Sequence, residues 1–496
     1  MTTQVRQEVV VVGGGIAGLC AAYELTGGRE GPSSSSPRVT VIEAGPRVGG
    51  KLQSLEIDGR VLDSGPDGVL ARRPEIGEIC RDLGIADDLV PIGASGASLF
   101  ARGRVRPLPE GLQMGIPTNW QALRASHVLS GAGLLRALRD RLSPLPSSRG
   151  ALQDRTIGSL VETKLGREVV TTLVDPLLGG INAGRVSEMS AAAIYPPLLE
   201  AGQQRGSLMA ALGAMAPPPP SSDPQEGDVP PPPAFVSLVG GMSSLISVLE
   251  TTLRERGVTF VLNTSVTSLR RTSGSDARWS VDSVRTTSRA DGVVLALPAG
   301  GASGLFESLD PDAAALLAQI DYASVAIVTF VFDADDLTLP ATGTGVLIPP
   351  ETPHPRGPFH GERFLTTALT FLDRKWPHLH RPGTTVLRSH TGRIDDDRLE
   401  TMSDTEVTER ALIELGILFH DVGVPRESHV TRWAESLPQY RVNHLMRVVG
   451  IENAVGHLPG LEIAGAALRG IGVPACIGSG RAAGQKLRET LTSKTL

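Results

Sequence analysis

The feature that most limits what this chain can fold into lies within its first 25 residues. The apolar run Val9–Val12 passes directly into Gly13-Gly14-Gly15-Ile16-Ala17-Gly18, and then into the helical pattern Leu19–Leu25. A continuous run of valines suits a strand buried on both faces, as in a parallel sheet. The three key glycines have separate tasks. Gly13 permits a tight turn, Gly15 lets the backbone approach a pyrophosphate, and Gly18 lets the helix pack closely on the strand. The helix start then offers unpaired N–H groups and a positive dipole end to phosphates. After the breaker-rich loop Gly27–Pro37, a second strand, Arg38–Ile42, ends at Glu43, placed to accept hydrogen bonds from an adenosine ribose. Glu43 stands 25 residues beyond Gly18, and the serine-rich loop accounts for the long interval. Glycine spacing alone is weak evidence. Strand, turn, helix and acidic residue in order make a dinucleotide-binding βαβ unit.

With 496 residues the chain exceeds what one hydrophobic core supports, so two or three domains are expected. A net charge of −6 gives no electrostatic reason to expect nucleic acid as a partner. Cys20, Cys80 and Cys476 are far apart, without metal-ligand or disulfide spacing, and read as buried packing residues in a reducing compartment. No metal site is expected. No apolar run approaches the roughly 20 residues that cross a bilayer, and the N-terminus runs straight into the first strand, leaving no room for a signal peptide. A cytoplasmic protein is expected, attached at most to the inner membrane surface. Ala323–Phe332, short and rich in β-branched residues, reads as a buried strand.

Further strands of the nucleotide sheet are expected at Val258–Leu262 and Gly292–Leu297, after a strand, glycine turn and amphipathic helix beginning at Phe235. The stretch from about 310 to 425 mixes strands with long loops. Residues from about 115 to 210 are helical in pattern, with breaks at Pro144, Pro146 and Pro176. Pro217–Pro233 is low-complexity and expected to form an exposed, partly polyproline insertion. The helical region leaves two uses open: ordinary core packing, or an apolar surface offered to a membrane or a partner enzyme.

The choice between NAD and FAD turns on the residues after Glu43. Ala44 through Lys51 (AGPRVGGK) resembles the extension found in the large flavoprotein group of amine oxidases and carotene desaturases. The resemblance implies that Gly49 and Gly50 bring backbone beside the flavin's diphosphate and ribityl chain, with Arg47 or Lys51 supplying positive charge. Gly465–Gly484 reads again as strand, tight turn and helix, and in that group the corresponding helix points its N-terminus at the flavin ring. Two distant flavin segments make FAD the expected cofactor. The expected fold is α/β, with three parts: a Rossmann-like FAD-binding domain (1–85, 235–305 and 426–496), a mixed β-sheet substrate domain (86–114, 205–234 and 306–425) and a helical subdomain (115–204).

Several stretches are similar to the oxygen-dependent porphyrinogen oxidases of haem synthesis. They are DSGPDGVLARRP (Asp63–Pro74), PLLGGINAGRVSEMS (Pro176–Ser190), the LVGGMSSLISVLE helix, RWAESLPQYRVNHLMRV (Arg432–Val448) and GIGVPACI, in order along nearly the whole chain. Asn182 and Leu468 stand where that family usually has aromatics. The resemblance implies flavin contacts from Gly13, Gly14, Gly15, Ile16, Ala17, Gly18, Glu43, Ala44, Arg47, Gly50 and Lys51. It adds Gly65, Pro66, Asp67, Gly68, Val266, Trp433, Gly465, Ile471, Gly472 and Val473. Arg72 and Arg73 are candidates to pair with a tetrapyrrole propionate, with Asn182 also on the substrate side. That one or both arginines are solvated surface residues stays open.

The implied reaction is a six-electron oxidation with flavin N5 taking hydride and oxygen reoxidising it to give peroxide, so no catalytic acid or base is assigned. Coproporphyrinogen is preferred, with protoporphyrinogen the alternative. An amine oxidase or carotene desaturase, and a flavin-free binding protein of the same fold, are the more distant readings. A next enzyme of the haem pathway is a further expected partner.

Overall fold

The computed structural model describes residues 6–142, 153–203, 206–215, 233–272, 278–419 and 421–492. They fall into two compact units: Met1–Pro91, Pro233–Asp321 and Leu445–Leu496, and then Ile92–Pro232 and Tyr322–His444. The proline-rich insertion, except Pro233, lies outside the described residues, as do Pro144 and Pro146.

The first unit is built on a five-stranded parallel sheet in the order Thr259–Val261, Arg38–Ile42, Glu8–Val12, Gly292–Leu295, Leu461–Ile463. The valine run takes the central place, and its four residues are at most 3% exposed, as burial on both faces requires. The helix Ile16–Leu25 is buried along its whole length. It packs against the C-terminal helix, Val473–Thr492. A Cβ on Gly480 would lie 2.1 Å from the Ala17 carbonyl oxygen, and one on Gly484 would lie 2.4 Å from that of Ala21. The two helices therefore touch backbone to backbone. They also run parallel, so both N-termini face the edge where the strands end. The last strand is displaced from its expected place: Leu461–Ile463 form it, and Gly465 onward is the connecting loop. Gly465 has φ of +121°, which a strand cannot hold.

The second unit contains a seven-stranded sheet in the order Glu427–Pro438, Tyr322–Asp333, Thr384–Thr391, Thr366–Phe371, Gly345–Leu347, Ser98–Ala101, Arg104–Pro107. The expected strand Ala323–Phe332 is the core of its second member. Strand alternation splits its residues between two faces. Ala326, Val328, Phe330 and Phe332 join Leu369, Phe371 and Leu387 in one apolar core, closed by Val407, Ala411 and Leu415 of the helix Asp404–Leu418. That helix is not part of the β-rich expectation. Its signal is the capping box Ser403-x-x-Glu406 ahead of an apolar stripe.

On the opposite sheet face, Leu99 and Ala101 pack into a helical layer with Val161, Leu173, Val174 and Leu178. This layer comprises Ile157–Leu165 and a π-helix, Val170–Gly179. The break expected at Pro176 is instead a widening of the helix. Proline lacks the N–H for a normal turn and crowds the carbonyl four residues back, and the wider π-type turn accommodates it. Among the described residues no helix is long and apolar enough to cross a membrane.

Candidate flavin cradle and substrate face

In the first unit the glycine turn shows why each glycine is there. Gly13 N donates to the Ile42 carbonyl at 2.8 Å and has φ of +103°. A Cβ there would stand 2.3 Å from the Ala296 carbonyl oxygen, and one on Gly18 would stand 1.9 Å from the Gly13 carbonyl oxygen. Gly15 is different, because a Cβ built on it meets nothing within 4 Å. Its open side lies at the start of the Ile16–Leu25 helix, which has no side-chain cap and no acidic residue in its first turn. Glu43 braces this turn. Its Oε2 accepts from Gly14 N at 2.7 Å and its Oε1 from Gly45 N at 2.8 Å. Each oxygen keeps a further lone pair for a hydroxyl.

The loop after Glu43 and Ala44 lies against the turn, with Gly49 N donating to the Gly14 carbonyl at 2.7 Å. A Cβ on Gly50 would lie 3.3 Å from Gly15 Cα. Arg47 staples this loop: it donates to the carbonyls of Val48 at 3.0 Å and Gly50 at 2.8 Å, and to Gln53 Oε1 at 2.6 Å. Burial pulls the Lys51 ammonium below its ordinary pKa, with nearby Cys476 opposing the shift. Lys51 is thus close to the first turn of the C-terminal helix, where burial pushes the Cys476 thiol up to about 11. Two segments more than 400 residues apart in sequence meet here.

Asn263 N donates to the Gly45 carbonyl at 2.9 Å and Thr264 N to that of Glu43 at 3.0 Å, leading into half-buried Val266. Gly65 is buried, Asp67 and Gly68 are half-buried, and Pro66 is exposed. Just before them Asp63 Oδ1 accepts from Ser54 Oγ at 2.6 Å and from Met242 N at 2.8 Å, anchoring the helix Met242–Glu255. Asp63 opens the family-like stretch Asp63–Pro74 with no anchoring role marked there, and no local motif points to the 263–264 segment. Ile471 and Gly472 lead into Val473, which opens the C-terminal helix. Arg72 is exposed; Arg73 is half-exposed and paired with Glu75, its Nε 3.2 Å from Oε2. Arg73 and Gly465 line one cleft of about 540 Å³ with Glu75, Glu452, Arg469 and Ser479, and none of Gly13–Gly18 lines it.

In the second unit the sheet face opposite the apolar core mixes polar and apolar side chains. Strand pairing sets Val325 against Trp433, and Ile327 against both Thr431 and His390. It also sets Ala368 against His390 and Thr370 against Arg388. Trp433, Thr431, Val325, His390, Ala368 and Thr370 are neither fully buried nor, as a group, fully exposed. At one end of this face stands the turn closing the π-helix. Gln439 Nε2 donates to the Asn182 carbonyl at 2.9 Å, Ile394 N to that of Ala183 at 2.8 Å, and Arg393 Nη1 to that of Gly184 at 3.2 Å. Ala183 is left-handed, with φ of 48°. Beside the turn Arg185 bonds Asp175 at 3.1 Å, Glu351 at 2.7 Å and Asp395 at 2.7 Å. Burial pulls on Arg185, but Asp395 and Asp175 outweigh it and hold the guanidinium above its ordinary pKa. Asn182 itself is buried, its Nδ2 donating to the Leu178 carbonyl at 2.8 Å, whereas Ile181 is 60% exposed. The stretches 176–190 and 432–448, far apart in sequence, are therefore joined in space. Ser190 N also donates to the Tyr440 carbonyl at 2.8 Å.

The profile of the flavin-containing amine oxidoreductases matches residues 16–487 of the chain. The chain belongs to that family. It is a flavoprotein oxidoreductase, and FAD is its cofactor. Relatives of this flavoprotein include the coproporphyrinogen III oxidase of Bacillus subtilis, 32% identical over 96% of this chain and 97% of that one. The human protoporphyrinogen oxidase is 28% identical over 96% of this chain and 97% of that one. A crystal structure of a protein from Exiguobacterium sp. 255-15 superposes with a TM-score of 0.82 at 31% identity, covering 97% of this chain and 99% of that one.

The residues of the flavoprotein's first unit fit FAD. An uncapped helix N-terminus, an open glycine beside it and a carboxylate at the end of the second strand suit pyrophosphate and ribose. Lys51 and the N-terminus of a second helix add positive potential toward the same edge. Bound there, FAD supplies a two-electron acceptor for hydride.

Proposed function

We propose that the chain oxidises coproporphyrinogen III to coproporphyrin III in haem biosynthesis, with FAD accepting hydride and oxygen as the final acceptor, giving hydrogen peroxide. The observation that carries this reading is the match along nearly the whole chain to the Bacillus subtilis coproporphyrinogen III oxidase at 32% identity. The human relative favours protoporphyrinogen as the second reading. The sheet face bearing Trp433 supports a flat macrocycle as ligand, because strand pairing sets half-buried Trp433, Thr431, His390 and Thr370 on one side of the sheet. The chain's own part is to orient the macrocycle and exclude water while hydride leaves a methylene bridge. The remaining elements of the reading are a cytoplasmic enzyme with peripheral contact to a membrane or to the next enzyme of the pathway.

Anaerobic mixing tests this directly. Coproporphyrinogen is expected to bleach the flavin absorbance, and admitted oxygen to restore it with porphyrin fluorescence and peroxide. Faster bleaching by protoporphyrinogen transfers the assignment to that substrate; bleaching by neither defeats both. Arg73 contributes a second expectation, since its pair with Glu75 is half-exposed and open to exchange for a propionate. Arg73→Ala is expected to raise KM roughly three- to tenfold, the range of a partly exposed charged hydrogen bond, with flavin content unchanged. An unchanged KM removes Arg73 from the substrate site.

A further inference from the structure

We infer that His390 is the proton acceptor of the reaction, a catalytic residue on the sheet face that bears Trp433; the inference rests on the porphyrinogen oxidase reading above. Each two-electron step removes two hydrogens from the macrocycle. One leaves a methylene bridge as hydride, its C–H pair passing to the flavin. The other leaves a pyrrole N–H as a proton, and the N–H electron pair becomes part of the new conjugated double bond. Three steps remove six hydrogens, and a shift of one proton from the fourth bridge to a pyrrole nitrogen leaves the porphyrin with one hydrogen on each bridge and two N–H groups. Oxygen is then reduced to hydrogen peroxide by the hydride's two electrons, taking up the hydride's hydrogen and the released proton, so the proton account closes in each step. Departure of hydride leaves positive charge on the bridge and its pyrrole, which makes the N–H strongly acidic. A neutral imidazole is then a sufficient base.

Position and chemistry single out His390. It sits on an interior strand, flanked on the same face by Ile327 and Ala368, two strands from Trp433. From strand spacing and rise, its Cα is about 12 Å from that of Trp433, within the span of one macrocycle. The charged or titratable side chains that share this face across the sheet include Arg388, His429, Glu427 and Asp333, with Arg104 and Arg106 at the far edge. Arg388 is 1% exposed and carries a permanent charge, so it cannot accept a proton. His429 lies on the edge strand, exposed, 3.6 Å from Glu427. The charged groups beyond the strand end, Arg393, Arg185 and Asp175, are engaged with one another and with the turn. His390 Nε2 is 3.1 Å from Thr370 Oγ1. A threonine hydroxyl can rotate to donate to the neutral ring or to accept from the protonated one, so this contact orients the imidazole in both states.

The test is flavin reduction by coproporphyrinogen under anaerobic conditions, followed against pH. In the wild type the rate is expected to fall toward acid pH, as the imidazole protonates and can no longer accept a proton. His390→Gln keeps a partner for Thr370 but cannot take a proton. It is expected to reduce its flavin about 10²- to 10⁴-fold more slowly, to lose the acid limb, and to keep wild-type flavin content and reoxidation by oxygen. Free imidazole is expected to restore part of the rate in His390→Ala. A readout independent of turnover is the ¹³C-histidine NMR spectrum, where the resonance missing from His390→Gln should shift in the wild type when coproporphyrin is added. A His390→Gln enzyme with wild-type rate and pH profile overturns the assignment. If the variant does not fold, a wild-type reduction rate without an acid limb overturns it equally. A wild-type flavin that no porphyrinogen bleaches instead removes the function on which the inference rests.

Discussion

Gly15→Val is expected to yield a folded but colourless protein, whereas Gly18→Val is expected to yield little folded protein at all. The two glycines stand three residues apart in one motif, yet the space around them differs completely. At Gly15 the backbone is extended (φ −69°, ψ 175°) and a Cβ meets nothing within 4 Å, so valine fits without strain. The space it fills is that through which the backbone approaches the pyrophosphate. Every 1.4 kcal/mol of lost binding lowers affinity about tenfold, and a branched side chain there displaces several phosphate hydrogen bonds at once. A fall in bound flavin of about a hundredfold is expected, with apoprotein melting unchanged. At Gly18 a Cβ falls 1.9 Å from the Gly13 carbonyl oxygen, a backbone atom pinned between two strands. The first helix must then leave the sheet, at the roughly 1–3 kcal/mol or more of an overpacked core. The ratio of flavin to protein absorbance, with thermal unfolding of both variants, checks the pair. Wild-type yellow Gly15→Val would mean that the pyrophosphate does not pass this glycine.

The same contrast explains which parts of the molecule could be read from the sequence. The glycine turn, the valine strand and the Glu43 strand end follow local rules, in which a few neighbouring residues meet one steric or electrostatic demand. The partners that complete the site are not local. Asp63 anchors a helix that starts 179 residues later, and Gln439 holds a turn 257 residues earlier. No period or spacing marks them beforehand; only the family resemblance links 176–190 with 432–448. Arg47 shows a different limit. Its charge suggests the flavin phosphates, but a guanidinium has five donors, and a loop full of unsatisfied carbonyls claims them. Pro176 was legible as a disturbance, but not as a π-helix. A proline fixes what cannot form, and the surrounding packing decides what forms in its place.

Glu414→Gln carries the largest expected loss of stability. Glu414 is fully buried, and its two oxygens gather donors from three segments: His354 Nε2 at 2.9 Å, Leu365 N at 2.7 Å, Thr366 N at 2.8 Å and Arg410 Nε at 3.0 Å. Arg410 is 5% exposed, and neutralising Glu414 leaves it, among the described residues, one carboxylate partner, the exposed Glu362, beside the Arg363 carbonyl. Breaking a buried pair from one side costs about 3–5 kcal/mol. For a unit of this size that lowers the melting temperature by on the order of 10 °C. The sign of the pH dependence follows from the carboxylate. Burial alone raises its pKa, but the hydrogen bonds from His354, Leu365 and Thr366 outweigh it and hold the folded value below the ordinary one. A carboxylate with a depressed folded pKa contributes stability above its unfolded pKa, near 4.3. That contribution is lost as pH falls through the folded value. The melting gap between wild type and Glu414→Gln should therefore be widest near neutrality and close under acid, below roughly pH 4. A gap that stays constant into acid would show that shape, not charge, carries the effect. The strand that Glu414 pins, Thr366–Phe371, also carries Thr370 against His390. Flavin reduction by porphyrinogen should accordingly fall in Glu414→Gln at temperatures below its melting, while bound flavin, held in the first unit, stays at the wild-type level.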